Sequence, residues 1–127
     1  MTAKRNHRLG DLQLRIMRVL WHQHKAYVSE VQAALSDDQL AYTTVATMLR
    51  KMEARGLVRH HEDGRRFVYE AAVTEAIVTR SMSDDLVDRL FGGSLANAVS
   101  HLLEHREVSR RELDRLEELI RRRKKSR

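Results

Sequence analysis

The chain has 127 residues, of which 42% are hydrophobic and 33% charged, with 24 Lys and Arg against 18 Asp and Glu. This length is enough for one or two small domains, and the absence of cysteine excludes disulfides, thiolate metal sites and a cysteine nucleophile. No uncharged stretch reaches the roughly 18 residues of a membrane-spanning helix, and no apolar signal-peptide core follows the N-terminus. We therefore expect a cytoplasmic protein without membrane contact, and its net charge of +6 suggests a polyanionic partner.

The charge is unevenly distributed along the chain. Residues 1–72 carry a net +4, residues 73–120 a net −4 and residues 121–127 a net +6. The chain has no proline, and good helix formers such as Ala, Leu, Arg and Glu are common. This composition predicts a mainly α-helical protein.

The sequence up to Gly56 predicts three helices. Apolar residues recur at three- and four-residue steps from Leu9 to His24, which predicts helix one. Tyr27-Val28 is a candidate short strand, and Ser29 with Gln32 forms a capping-box pattern before a short helix two. A turn is predicted at residues 36–39 and a third helix from Tyr42 to Arg55, ended by Gly56.

After Gly56 the apolar pattern changes to the alternation of a β-strand. Two alternating segments, 57–62 and 67–70, flank Asp63-Gly64, a pair that favours a tight hairpin turn. Three helices followed by a hairpin is the element order of a winged helix-turn-helix. We therefore predict a winged-helix DNA-binding domain over residues 1–73.

Beyond Thr74 the pattern is helical again. One helix ends at Gly92-Gly93, a second is capped by Ser94, and a third opens on a Ser109/Glu112 capping box. Three short helices cannot bury all of their apolar surface, so residues 74–120 are predicted to be a helical dimerisation domain. The predicted dimerisation residues are Leu86, Leu90, Phe91, Val99, Leu102, Leu103, Leu113, Leu116 and Ile120. Residues 121–127 are expected to be a disordered basic tail.

The third helix carries the best candidates for reading DNA. A helical wheel places its apolar residues on one side and short polar or cationic residues opposite. Threonine can bond phosphates or base edges and offers a methyl to thymine, while Arg and Lys can reach guanine or phosphate. The same pattern also fits an ordinary solvated face, and the position of the helix in a winged-helix order favours the DNA-binding interpretation. The predicted DNA-binding residues on this helix are Thr43, Thr44, Thr47, Arg50 and Lys51.

The hairpin tip adds two adjacent cations, Arg65 and Arg66. A wing that contacts the DNA backbone or enters the minor groove needs long cationic side chains at this place. Two arginines can also serve only to keep a hairpin tip soluble.

One enzyme motif is present and is set aside. His101-Leu102-Leu103-Glu104-His105 matches the H-x-x-E-H zinc-peptidase pattern, in which two histidines bind metal and the glutamate activates water. The match is five residues long, lies in an apolar helix and has no identifiable third ligand. We therefore expect no enzyme activity, no metal and no cofactor.

Four segments in this order resemble the BlaI/MecI penicillinase-repressor family, which also contains the CopY-type copper repressors. They are Leu9 to Trp21 (LGDLQLRIMRVLW), Ala41 to Leu57 (AYTTVATMLRKMEARGL), Gly64 to Tyr69 (GRRFVY) and Leu90 to Ser94 (LFGGS). The resemblance covers about residues 9–120. It implies a homodimeric transcriptional repressor whose winged helix binds a palindromic operator on double-stranded DNA.

The resemblance also bears on individual residues. It implies that the start of the third helix, at Tyr42 to Val45, reads DNA and that Arg65 and Arg66 lie in the wing. Ala46 stands where the family commonly has a basic residue. The Asn-Phe bond that a sensor protease cleaves in β-lactam-responsive members corresponds to His101-Leu102, and the copper-responsive mechanism is excluded because its cysteines are absent. A winged-helix activator or DNA-architectural protein is the alternative to a repressor.

Overall fold

The structure is a computed structural model that describes residues 9–36 and 39–126. It contains six helices and three strands within these residues. In chain order they are α1 (Asp11–Gln23), β1 (Lys25–Tyr27), α2 (Val28–Ala34), α3 (Tyr42–Ala54), β2 (Val58–Asp63), β3 (Arg66–Ala71), α4 (Glu75–Phe91), α5 (Leu95–His105) and α6 (Arg110–Lys125). The turn predicted at residues 36–39 includes two positions, 37 and 38, outside the described residues.

The three strands form one antiparallel sheet in the order β1-β3-β2. The hairpin partners run from Val58 opposite Ala71 to Asp63 opposite Arg66, and Gly64 turns the chain with φ at 64°. Strand β1 pairs with the other edge of β3. The predicted winged helix-turn-helix is confirmed, and the short first strand lies at 25–27 rather than at Tyr27-Val28.

The chain divides into two compact units, Met1–Asp85 and Leu86–Arg127, which we call the N-terminal unit and the C-terminal unit. The division lies inside α4, whereas the sequence predicts a boundary at residue 73. Val78 is 1% exposed and belongs to the core of the N-terminal unit. The first turns of α4 therefore pack with the winged helix.

The core of the N-terminal unit joins all three of its first helices to the sheet. Ile16 and Met17 of α1, Leu49 of α3 and Tyr69 of β3 are at most 2% exposed within one cluster. Trp21, at the edge of this cluster, donates from Nε1 to the carbonyl of Val73 at 2.9 Å. This bond fixes α1 against the segment that leads into α4.

Helix α2 begins earlier than its capping pattern predicts. Its N-cap is Tyr27, and the Glu30 Oε1 atom accepts a hydrogen bond from the Tyr27 backbone N–H at 2.8 Å. The predicted Ser29/Gln32 capping box is therefore wrong. Tyr27 also pairs with Val68 in the sheet, so the end of β1 determines where the helix starts.

The end of α3 is a Schellman motif, which directs the chain into the wing. The Gly56 N–H donates to the Glu53 carbonyl at 2.9 Å and the Leu57 N–H to the Met52 carbonyl at 3.0 Å. Gly56 has φ at 80°, which costs glycine little because it has no Cβ. The predicted stop at Gly56 is confirmed.

The C-terminal unit shows the two predicted serine caps. Ser94 Oγ accepts from the Asn97 N–H and Ser109 Oγ from the Glu112 N–H, both at 3.1 Å. Helix α6 then continues to Lys125, so most of the tail that was expected to be disordered is helical. Salt bridges from Glu118 to Arg121 and Arg122 at 2.8 and 3.3 Å support this extension, and cations favour a helix C-terminus.

Candidate nucleic-acid interface

Helix α3 separates sharply into a buried and an exposed face. Val45, Leu49 and Met52 are each 0% exposed and hold the helix against the core. The opposite face is open to solvent, and it carries all five predicted DNA-binding residues of this helix: Thr43, Thr44, Thr47, Arg50 and Lys51. The apolar face therefore fixes the position of the helix and leaves its polar face available to a ligand.

Four of these residues surround one shallow hollow of about 300 Å³. Thr43, Thr44, Thr47 and Lys51 line it together with the partly buried Met48. At its edge, the Arg50 guanidinium donates to the Thr47 hydroxyl at 3.3 Å. Hydroxyl groups, a methionine and two cations thus meet on the same surface.

Two neighbouring elements hold α3 in place through polar contacts. The Gln13 side chain of α1 donates to the Met48 sulfur at 3.5 Å and accepts from the Arg55 guanidinium at 3.1 Å. The Gln32 amide of α2 donates to the Leu40 carbonyl just before α3 at 2.9 Å. These contacts connect the start, middle and end of α3 to the two helices that precede it.

The two wing arginines have different surroundings. The Arg66 guanidinium lies 3.5 Å from the centre of the Tyr27 ring and donates to the Ser29 hydroxyl at 3.2 Å. Arg65 is exposed, and among the described residues its side chain makes no hydrogen bond or ion pair. Arg66 is therefore stacked on the domain, whereas Arg65 extends freely from the tip.

Tyr27 connects the wing to the start of α2. Its hydroxyl donates to the Asp63 carboxylate at the end of β2, while its ring lies under Arg66 at the start of β3. The hydrogen bond to Asp63, followed by partial burial, raises the pKa of the Tyr27 hydroxyl. One half-buried aromatic residue thus contacts both strands of the hairpin.

A second set of contacts joins the wing to the end of α3. His60 Nδ1 lies 2.7 Å from the Glu53 carboxylate, and the His60 ring stacks on Phe67 with centroids 4.2 Å apart. The Tyr69 ring lies near both of these rings, with centroid distances of 5.4 Å to His60 and 6.5 Å to Phe67, and burial raises the pKa of its hydroxyl. The wing is thereby positioned relative to the exposed face of α3.

An ion pair lies across the two hairpin strands. The Arg59 guanidinium donates to the Glu70 carboxylate at 2.9 Å, and the two residues are directly opposite each other. This hydrogen bond lowers the pKa of the Glu70 carboxyl.

Sequence reasoning missed the residues that orient the wing. Tyr27 was predicted only as part of a candidate strand and Asp63 only as part of the turn. Neither they nor Glu53 and His60 were assigned a role in orienting the wing, because their partners lie elsewhere in the chain and leave no periodic pattern. The available signals were the position of Tyr27 in a candidate strand and of Asp63 in the predicted turn.

The H-x-x-E-H segment lies on α5, in the C-terminal unit. His105 Nδ1 is 2.9 Å from the His101 carbonyl, the two imidazole rings stack, and Glu104 is 3.4 Å from the Ser100 hydroxyl. Within residues 9–36 and 39–126, no three His, Cys, Asp or Glu side chains are grouped so that they could hold a metal ion.

The predicted dimerisation residues remain accessible. Leu90 is 71% exposed and Ile120 56%, and six of the other seven residues in the set are also exposed or line a groove. This open groove has a volume of about 730 Å³ between α5 and α6 and includes Val99, Leu103, Leu113, Leu116 and Ile120. Ala98 is the only buried hydrophobic residue of the C-terminal unit in the part of the chain that the structure describes.

None of the helices in the described ranges is both long and apolar enough to span a bilayer.

Comparison with known proteins identifies the family. The family model for the penicillinase repressor matches residues 9–122. The chain is 28% identical to the penicillinase repressor of Bacillus licheniformis over 113 residues, covering 88% of each protein. It is 35% identical to the transcriptional regulator BlaI of Mycobacterium tuberculosis over 100 residues, covering 76% of this chain and 72% of the relative.

A solved structure agrees with this assignment. The solution structure of the DNA-binding domain of the repressor BlaI matches with a TM-score of 0.51 and 31% identity, covering 58% of this chain and 92% of that domain. Members of this family are regulators of transcription rather than enzymes. The chain therefore belongs to the penicillinase-repressor family of DNA-binding transcriptional repressors.

Proposed function

We propose that this repressor binds a palindromic operator as a homodimer, with α3 of each chain in a major groove. The observation that carries the proposal is the division of α3 into a fully buried apolar face and an exposed face of threonines and cations. A major groove about 12 Å wide admits one α-helix, and short side chains allow a close approach to the base edges.

The residues on α3 suit two kinds of contact. Thr43, Thr44 and Thr47 offer hydroxyls for phosphates and base edges and methyl groups for thymine. Arg50 and Lys51 lie further along the exposed face, where their longer side chains can bond guanine or phosphate. We expect sequence preference to depend most on Thr47, because it borders both the hollow and Arg50.

The wing supplies a contact of a different kind. Arg65 is free to reach a phosphate or a narrow minor groove. Arg66 is held by Tyr27 and Ser29, and its main role in this proposal is to orient the wing while keeping a positive charge near the DNA.

Dimerisation through residues 74–120 is supported by the exposed apolar residues of the C-terminal unit. A helical unit with one buried hydrophobic residue in its described part gains stability by covering Leu90, Leu103, Ile120 and their neighbours with a second copy. Two half-site contacts in one dimer bind more tightly than either alone. A repressor of this kind acts on chromosomal DNA, so we expect it in the cytoplasm.

The proposal extends to regulation by a sensor protease that cuts at His101-Leu102. Both residues are exposed on α5, and cleavage there removes α6 from the rest of the C-terminal unit. Because the bond lies inside a helix, α5 must open locally before a protease can bind it. A chain carrying a specific protease site at this bond should lose dimerisation and operator binding on cutting; retention of both would contradict this mechanism.

The test of the DNA-binding proposal is selection of bound sequences from random duplexes, followed by affinity measurements on the selected duplex. Thr47→Ala should change the selected sequence, whereas Arg65→Ala should weaken binding to all sequences and reduce the salt dependence. Thr79→Ala, at an exposed position of α4, is the matched control and should leave the selection unchanged. A selection unaltered by Thr47→Ala would contradict the reading role of α3, and binding that is insensitive to salt would contradict the DNA-binding proposal itself.

A further inference from the structure

Helix α6 changes its character after Ile120. Up to that residue, Leu113, Leu116 and Leu119 recur at three-residue steps and give the helix an apolar side. The seven residues that follow contain six cations and no apolar residue. The helix continues through this change as far as Lys125, so five of the cations stand on ordered helical backbone.

The cationic end of α6 is exposed on every side. Successive residues on an α-helix are about 100° apart, so the four cations from Arg122 to Lys125 point around most of the circumference. All four side chains are exposed. This segment has no apolar side with which to pack against a protein surface.

Only part of this charge is neutralised within the chain. Glu118 pairs with Arg121 and Arg122. The side chains of Arg123, Lys124 and Lys125 make no hydrogen bond or ion pair with any residue that the structure describes. Residues 86–120 carry two more acidic than basic side chains, so the charge at the end of α6 is a local feature rather than a property of the whole unit.

We propose that residues 121–125 form a second DNA contact, which binds phosphates beside the operator without reading its sequence. This inference rests on the proposed DNA-binding function. Closely spaced cations with no aromatic neighbour, and with Ser126 as the only short polar residue beside them, suit a row of phosphates better than base edges. DNA is favoured over an acidic protein because the N-terminal unit brings DNA to the same molecule, which gives a tethered contact a high effective concentration.

The experiment measures the salt dependence of binding. Full-length Arg123→Gln/Lys124→Gln/Lys125→Gln is compared with the wild type on the selected operator and on a random duplex of about 40 base pairs, between about 50 and 200 mM salt. Loss of three phosphate contacts per chain should reduce the slope of log K against log salt by about 2.7 per chain. If the contacts contribute nothing at about 1 M salt, this slope means that affinity at about 0.1 M salt should fall by about 500-fold per chain.

A matched control lies on the same helix. Arg110→Gln/Arg111→Gln/Arg115→Gln removes the same charge from the opposite end of α6 and should leave the slope near that of the wild type. Arg122→Lys/Arg123→Lys retains the charge and should also retain the slope. Circular dichroism checks that each variant keeps its helix content, since glutamine is a good helix former.

Three results would overturn the inference. They are an unchanged slope in the tail variant, an equal loss in the Arg110/Arg111/Arg115 variant, and a loss of thermal stability in the tail variant without a change in DNA binding. The last result would mean that the cations pair with acidic residues of the protein itself. If Thr47→Ala still alters the selected sequence, the proposed function stands and only the tail contact fails.

Discussion

The N-terminal and C-terminal units bury their apolar residues to very different degrees. Among the described residues, sixteen of the seventeen buried hydrophobic residues belong to the N-terminal unit and only Ala98 to the other. Both units are built mainly from helices that have an apolar side, and the two serine-capped helices, α5 and α6, belong to the C-terminal unit. The difference shows that a helical pattern alone does not produce a core, because the apolar stripes must also find one another. The first unit satisfies this requirement within one chain, and we infer that the second does so by dimerisation.

The largest effect should come from a charge placed in the groove of the C-terminal unit. Leu103→Asp puts a carboxylate among the apolar side chains that we propose meet in the dimer. Burial of an unpaired charge is very unfavourable, so sedimentation should show a monomer. Operator affinity should fall by about 10²- to 10⁴-fold through loss of avidity.

The control for this prediction adds the same charge elsewhere on α5. Asn97→Asp lies at an exposed position and should leave both dimerisation and DNA affinity close to those of the wild type. A dimeric Leu103→Asp protein would refute the assignment of this groove to the dimer.

A cavity in the core of the N-terminal unit should have the next largest effect. Leu49 is 0% exposed, and Leu49→Ala should lower the free energy of unfolding by about 2–5 kcal/mol. Urea unfolding followed by circular dichroism measures this loss, which should not depend on protein concentration. The same truncation in the C-terminal unit, Leu119→Ala at a 46% exposed position, should affect the N-terminal unit little. An equal loss of unfolding free energy in Leu49→Ala and Leu119→Ala would contradict the conclusion that only the N-terminal unit has a buried core of its own.

The turn between α3 and the wing should be sensitive to a smaller change. Gly56→Ala places a Cβ at a residue with φ at 80° and should lower the free energy of unfolding by about 1–2 kcal/mol. Gly10→Ala is the comparison, since Gly10 has φ at −71° and space for a Cβ, and its loss should be smaller. If both variants were equally stable, the positive φ of Gly56 would not be a requirement for the turn from α3 into the wing.

The smallest effect should be a pH dependence from the wing. The Arg59 hydrogen bond lowers the pKa of Glu70 below its ordinary value of 4.5. A carboxyl with a lowered pKa stabilises the folded state at higher pH, and that contribution disappears as the pH falls below about 4.5 through the folded-state pKa. The decrease should be slight, because the ion pair is exposed to solvent.

Unfolding curves at several pH values below neutrality test this dependence. Glu70→Gln should make the acid-side decrease shallower, and Glu62→Gln, an exposed glutamate of β2, is the control. An identical acid dependence in the wild type and in Glu70→Gln would contradict the role of this ion pair.

Most of the element order was predictable from the sequence, because its signals are local. The three- and four-residue apolar spacing, the Asp63-Gly64 turn, Gly56 and the Ser94 and Ser109 caps each act within a few residues. The helix of residues 121–125 was missed, because a run of like charges predicts disorder unless the preceding helix and Glu118 are considered.

The candidate site was predictable only in part. The exposed residues of α3 follow from the helical wheel, and their exposure is confirmed. The different surroundings of Arg65 and Arg66 could not be predicted, because Tyr27 and Arg66 are far apart in the sequence and meet only through the pairing of β1 with β3. The assignment of these residues to DNA binding stays a prediction.

Trp21, which is held by its hydrogen bond to the Val73 carbonyl, provides an intrinsic fluorescent probe. Trp21 is the only tryptophan of the chain and lies at the edge of the core, where α1 meets the segment before α4. Its fluorescence emission therefore reports on the N-terminal unit alone, without any label. An emission spectrum that stays constant during dilution, while the helix signal of the whole chain changes, would show that the C-terminal units separate while the winged helices stay intact.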